Sequence, residues 1–187
     1  MLKVIETDIP EVRIIEPEYF LDSRGYFCET YSSRAFADIG ITTVFVQDNH
    51  SYSALKGTIR GHHFQNNPKS QAKLVRCVRG IILDVAVDLR KNSPTYKRWV
   101  SAELSEENHR QMLIPSGFSH GFMTLADHCE VFYKVDEFYH KEYDRSIIWN
   151  DPEIAVNWGI ADPVLSDKDR NAPLLKDSDV NFVYAVY

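Results

Sequence analysis

Between residues 42 and 158 the chain is a succession of short β-branched and aromatic runs, each closed by Gly, Pro, Asn, Asp or a charged residue. They read "TTVFVQD", "GTIRGHHF", "KLVRCVRG", "IILDVAVDL", "RWVSAEL", "QMLIP", "HGFMTL", "EVFYKV", "SIIWND" and "IAVNW". That punctuation is the pattern of strands folding back on one another in a sandwich or barrel. It leaves little room for helix. The one convincing helical pattern is "SSRAFADIG", with Ser32 or Ser33 as cap and Gly40 as stop. The expected class is therefore all-β, a jelly-roll barrel with a few short helices. The stretch "VLSDKDRNAPLLKDSD" loses the alternation, and we expect it to wrap the barrel as an irregular C-terminal segment ahead of an apolar tail, "VNFVYAVY". With 187 residues and no repeat or Gly/Ser linker, the expectation is a single domain over 1–187.

Charge narrows the partners. A formal net charge of -6 supplies no basic field for nucleic acid or anionic lipid, so any phosphate ligand has to be met by local cations. Three widely separated cysteines with no CxxC pair suit free thiols in a reducing compartment. No apolar run has the length of a membrane span, and "MLKVIETDIPEVRII" is charged throughout, unlike a signal peptide. The expected location is the cytoplasm.

Two adjacent histidines, His62 and His63, follow an Arg-Gly step. In an extended strand, successive side chains face opposite ways, so only one of the pair can look inward. Alternation puts Ile59, Gly61 and His63 on one face and Arg60 with His62 on the other, a count that a bulge near Gly61 would spoil. On this count His63 points inward, and His62 is a polar residue of the outer face.

The run "GTIRGHHFQNNPKSQAKLVRCVRG" resembles the first motif of the cupin superfamily, and "PSGFSH", Pro115 to His120, resembles the second. The metal-binding version needs an HxH pair and a glutamate separated by six residues from a glycine. Here HxH has become HH, and Lys73 stands at the glutamate position before Gly80. An ammonium there repels a divalent cation. A histidine and a lysine without a metal suit proton abstraction beside a carbonyl, with His63 as base and Lys73 beside the oxygen that gains charge. Inverting a stereocentre needs a second proton carrier on the other side of the substrate. "EVFYKVDEFYH" offers Tyr133, and Tyr139 shares its parity if the segment stays extended.

The ordered blocks "SRGYFCETY", "FVQDNHS", "IRGHHFQ", "KLVRCVRG", "LDVAVDLRKNSPTY", "LSEENHRQMLIPSGFSHGF", "YKVDEFYHKEYDRSI" and "LSDKD" are similar to those of the dTDP-4-dehydrorhamnose 3,5-epimerase family, from Asp8 to about Asp177. The resemblance implies a metal-free homodimeric cupin, needing no cofactor, that epimerises a dTDP-linked 4-keto-6-deoxy sugar at C3 and C5. It implies His63 as base with Asp169 as its carboxylate partner, Lys73 at the enolate and Tyr133 as proton donor. It further implies substrate contacts from Arg24, Glu29, Gln47, Asn49, Arg60, His120 and Lys168, with base stacking on Tyr139 and a carboxylate at Asp144. His62, Ala72 and Asp144 depart from the usual family residues, and these bear on the nucleotide and sugar preferred. The apolar N-terminus and the aromatic tail are the candidate dimer interface.

Other readings remain open at this point. A close variant inverts only C3 or only C5. A metal-dependent cupin oxygenase or isomerase would use His62, His63 and His120. A binding module without catalysis would hold dTDP and exchange no substrate protons.

Overall fold

The computed structural model of the protein describes residues 2–184. In chain order the strands are β1 (Lys3–Glu6), β2 (Arg13–Glu16), β3 (Tyr19–Asp22), β4 (Gly25–Cys28), β5 (Gln47–Ser53), β6 (Ile59–Gln65), β7 (Lys73–Arg79) and β8 (Ile81–Asp88). They continue with β9 (Trp99–Ser105), β10 (Gln111–Ile114), β11 (Phe118–Thr124), β12 (Cys129–Val135) and β13 (Asp144–Ser146). Helices are short: α1 (Ser33–Asp38), α2 (Asp167–Arg170) and a 3-10 turn at Leu175–Asp177. Helix α1 begins at Ser32, whose side chain accepts from the Ala35 N–H, and the chain leaves it through Gly40 at φ 77°.

Two antiparallel sheets face each other as a jelly-roll barrel. One has the order β1-β2-β10-β7-β12-β5 and the other β13-β6-β11-β8-β9, while β3 and β4 form a separate hairpin. Strand β8 explains why part of the sequence reads as a continuous apolar run rather than an alternating one. Its Ile82 and Ala86 pack inside the barrel with Val75, Met112 and Val131, whereas Val85 and Val87 pack outside with Met123, Ile147, Trp158 and Phe182. Both faces of the sheet are buried, so both faces must be apolar. The outer cover is the irregular C-terminal segment, which joins the sheet through few backbone bonds, among them Ile59 N–H to Val164 O and Lys91 N–H to Phe182 O. It is held mainly by apolar packing, about 1.5–3 kcal/mol for each fully buried large side chain.

Several sequence expectations change here. Strand β5 starts at Gln47, not Thr42, and runs on to Ser53; residues 42–46 pass the end of β12, where Val46 N–H to Val135 O is the backbone bond that reaches them. "SIIWND" contributes only Ser146 to a strand, and "IAVNW" forms none, with Ala155 at φ 51°. Their apolar spacing comes from lying across the outer face, where Ile147, Ile154 and Trp158 are buried. The β3–β4 hairpin is an addition the strand pattern did not include. The tail is not free to be an interface as a whole: Val180 and Phe182 pack into the chain's own outer core, and residues 185–187 lie outside the described residues.

His62 is the sharpest correction. It does lie on the outer face, yet it is 0% exposed, because the C-terminal segment covers that face and Trp158 packs 5.6 Å away, ring centre to ring centre. Neither ring nitrogen has a hydrogen-bond partner. Burial, with His63 and His120 nearby, pushes its pKa down to about 3. The parity count also fails on the N-terminal side. Register slips between His120↔His63 and Phe122↔Arg60, so β6 carries one extra residue, a bulge centred on Gly61. Arg60 therefore shares the inner face with His63, and Ile59 joins the outer core. Only glycine fits at the bulge: φ is 136°, and a Cβ at Gly61 would stand 2.4 Å from the Gly121 Cα.

Candidate active site

Inside the barrel one end is filled with apolar side chains, and the other opens as a cavity of about 320 Å³. The six-stranded sheet contributes Gln47 and Asn49 from β5, Lys73 from β7 and Tyr133 from β12. The facing sheet contributes Arg60 and His63 from β6, His120 from β11 and Asp144 from β13. Tyr139 and Lys168 complete the rim. Tyr139 arrives from a loop after β12 ends at Val135, so it reaches the cavity for a different reason than strand parity.

His63 Nε2 meets Asp169 Oδ1 at 2.5 Å. Asp169 lies behind the imidazole, 3% exposed, and its second oxygen accepts the Ser166 hydroxyl at 2.8 Å. Ser166 also caps α2 by accepting the Asp169 N–H, so the cap of a four-residue helix fixes the carboxylate. Burial alone would raise the Asp169 pKa. The His63 hydrogen bond and charge, with help from Ser166, outweigh it and hold the carboxyl below its ordinary value.

On the opposite wall Lys73 is 7% exposed, with Nζ 3.5 Å from the His63 carbonyl oxygen and 5.9 Å from the centre of the Tyr133 ring. Burial brings its pKa down to about 8, against the carboxylates of Asp84 and Asp144, which favour the charged form. Burial pushes the Tyr133 phenol up. His120 Nε2 meets Asp84 Oδ1 at 2.7 Å, and Asp84 is fully buried with its other oxygen unpartnered. Desolvation lowers the His120 pKa in spite of that carboxylate.

At the mouth, Lys168 Nζ pairs with Asp144 Oδ2 at 2.6 Å, and the Tyr139 hydroxyl donates to the same oxygen at 3.4 Å. Arg60 is anchored by Nε to Ser53 Oγ and by Nη2 to the Tyr52 carbonyl. Arg60, Lys73 and Lys168 against the one lining carboxylate, Asp144, make the lining cationic and suited to an anionic ligand.

Of the thirteen residues expected from the sequence, ten line the cavity and Asp169 backs it. Arg24 and Glu29 do not reach it. Both are exposed, Arg24 in the β3–β4 turn where it pairs with Asp22, and Glu29 just beyond β4. Residues the sequence reasoning missed are Asp84, Ser51, Phe64, Gln65, Gln71 and Phe122. Asp84 did leave a signal, a single charge in the middle of the apolar run "IILDVAV". The glutamines left none, since a polar residue at a strand end is ordinary.

The two walls of the cavity face each other with titratable side chains on both, His63 and His120 on one and Lys73 and Tyr133 on the other. The fold and the site define a jelly-roll isomerase. The chain belongs to the dTDP-4-dehydrorhamnose 3,5-epimerase family, whose profile matches residues 6–177. It is 49% identical to the dTDP-4-dehydrorhamnose 3,5-epimerase of Shigella flexneri over 179 residues, covering 95% of this chain and 98% of that one. Among solved structures it is similar to the dTDP-4-dehydrorhamnose 3,5-epimerase of Bacillus anthracis str. Ames with TDP and PPi bound, with TM-score 0.91, 53% identity and coverage of 93% and 99%. It is also similar to the dTDP-6-deoxy-D-glucose-3,5-epimerase of Legionella pneumophila in complex with dTDP-4-keto-L-rhamnose, with TM-score 0.95, 42% identity and full coverage of both chains.

Proposed function

We propose that the cavity converts dTDP-4-dehydro-6-deoxy-D-glucose to dTDP-4-dehydro-L-rhamnose by inverting C3 and C5 in dTDP-L-rhamnose biosynthesis. The observation that carries this reading is the placement of His63, backed by Asp169 of α2, on one sheet and of Tyr133 with Lys73 on the other. The protons on C3 and C5 are both α to the C4 ketone, so one set of groups serves both centres. His63 Nδ1 takes the carbon-bound proton, because Nε2 is committed to Asp169, which stabilises the imidazolium. The Lys73 ammonium stabilises the enolate oxygen in a site where little water screens it. Tyr133 returns a proton from the opposite face, and the carbon is inverted. The reaction is redox-neutral, and as drawn it uses only protein groups, with no cofactor.

His120 closes the sugar pocket beside Tyr133, their rings 6.4 Å apart. Arg60 and Lys168 take the diphosphate, Gln47 and Asn49 the polar edge of the ligand, and Tyr139 stacks on the base beside Asp144. The protein acts in the cytoplasm as a homodimer. Two features support the dimer: Phe20, Leu21, Tyr26 and Phe27 of the hairpin are all more than half exposed, and the same hairpin carries Arg24 and Glu29 away from their own cavity. For these two residues to touch substrate, the hairpin of one subunit has to enter the cavity of the other.

Turnover in D2O tests the chemistry. Product formed without added metal should carry deuterium at both C3 and C5. Label at one carbon alone would make the protein a mono-epimerase, and no label would reduce it to a binder. Tyr133→Phe should keep exchange while losing net inversion, since the base still strips a proton and returns it to the same face.

A further inference from the structure

Three glutamines line the cavity, and each has a side-chain amide hydrogen bond to the main chain of one loop, residues 137–140, with Gln47 also donating Nε2 to Asn49 Oδ1. Gln71 Nε2 donates to the Glu137 carbonyl at 2.7 Å. Gln65 Nε2 donates to the Phe138 carbonyl at 3.1 Å and to the Lys69 carbonyl at 2.7 Å, while its Oε1 accepts the His140 N–H at 2.6 Å. Gln47 Oε1 accepts the Tyr139 N–H at 3.4 Å. Four consecutive residues are thus each tied to the barrel wall through a side-chain amide. The loop lies between the end of β12 and the start of β13, so no sheet ladder sets its path. Tyr139 sits inside this clamp at the cavity mouth, 57% exposed as a residue.

Gln65 is 3% exposed, and its three bonds use both donor and acceptor ends of the amide. A carboxylate, a thioether or an alkyl chain there would leave main-chain groups unpaired. We propose that Gln65 and Gln71 are positioning residues for the nucleoside half of the substrate, holding the 137–140 loop so that Tyr139 offers its ring already in place for stacking. This rests on Tyr139 being the base platform, as read above. A loop ordered before binding spares the ligand the entropy of ordering it, and that saving appears in affinity rather than in the proton transfers.

The test compares two probes, dTDP and inorganic pyrophosphate, by calorimetric titration of the full chain. Gln71→Met, at a half-buried position, should weaken dTDP by about three- to tenfold and leave pyrophosphate within about twofold. KM should rise with the dTDP dissociation constant while kcat stays within about twofold. Tyr139→Ala alone should weaken dTDP at least about fivefold, and adding Gln71→Met to it should cost less than about twofold more. Gln65→Met should show the same selectivity with a larger factor; if it does not fold, Gln71→Met carries the test. Equal weakening of dTDP and pyrophosphate, or an undiminished Gln71→Met effect in the Tyr139→Ala background, would overturn the clamp. A Tyr139→Ala protein with unchanged dTDP affinity would instead sink the stacking reading, and the clamp's role with it.

Discussion

His63 and His62 are neighbours in sequence with opposite environments. One faces a polar cavity and holds a carboxylate; the other is sealed under Trp158 with two unpartnered nitrogens. Replacing His63 by Asn should lower kcat by about 10²–10⁴-fold with dTDP affinity little changed, because a base acts on the transition state and not on the nucleotide. His62→Leu should stay active. It should also gain resistance to acid: with a folded pKa near 3 and an ordinary value of 6.5, the unfolded chain takes up a proton that folded His62 refuses. Stability is therefore lost as pH falls below about 6.5, at roughly 1.4 kcal/mol per pH unit, and the leucine variant lacks this loss. Denaturant titrations of both proteins at pH 7 and pH 5 check it. Lys73 sets the other limb. With a pKa near 8 in the free enzyme, its ammonium is lost as pH rises, so kcat/KM should fall above about pH 8. Asp84→Asn removes a charge that holds Lys73 protonated, and it should move that limb to lower pH. A pH–rate profile in which the limb stays in place separates Asp84 from Lys73.

Among the elements, the central strands of the two sheets and the capped helix α1 were readable, whereas the β3–β4 hairpin and the segments shaped by packing were not. β6, β7, β8, β11 and β12 follow from apolar alternation and turn residues, and α1 from its serine cap and glycine stop. The run "IAVNW" has the same alternation and forms no strand, because the outer face of a sheet rewards apolar side chains whatever the backbone of the segment above it. The bulge at Gly61 defeats counting for a related reason. Alternation assumes equal lengths on paired strands, and only the approach of Gly61 to Gly121 shows that β6 carries one residue more. The motif blocks located His63, Asp169, Lys73 and Tyr133, yet nothing in the sequence showed that Arg24 and Glu29 leave their own cavity on a hairpin. Subunit mixing examines where they act. Arg24→Ala and His63→Ala should each be weakly active alone. In the proposed dimer, however, a mixed pair would have one cavity with its own His63 and an intact Arg24 from the other subunit, so activity should reappear on mixing. Strict additivity of the two inactive proteins would confine Arg24 to its own chain.

At the scale of the whole molecule, the two sheets supply the proposed base, His63, and the proposed acid, Tyr133, from opposite sides, while the carboxylate that meets His63 comes from neither. Asp169 belongs to the C-terminal segment, fixed by Ser166 and seated on the outer sheet by Trp158, Leu175 and Phe182. Segments held by packing with few ladder bonds open at lower free energy than the strands beneath them. In rising urea, activity and tryptophan fluorescence should therefore change before the far-ultraviolet signal of the strands. A single coincident transition would mean that segment and barrel unfold as one. The same arrangement orders events in time. Every barrel strand among the described residues precedes residue 147 in the chain, so during synthesis the strands that line the cavity are made before the carboxylate that meets His63. A newly made barrel is a container first, and it gains its chemistry when the segment that follows closes over its back.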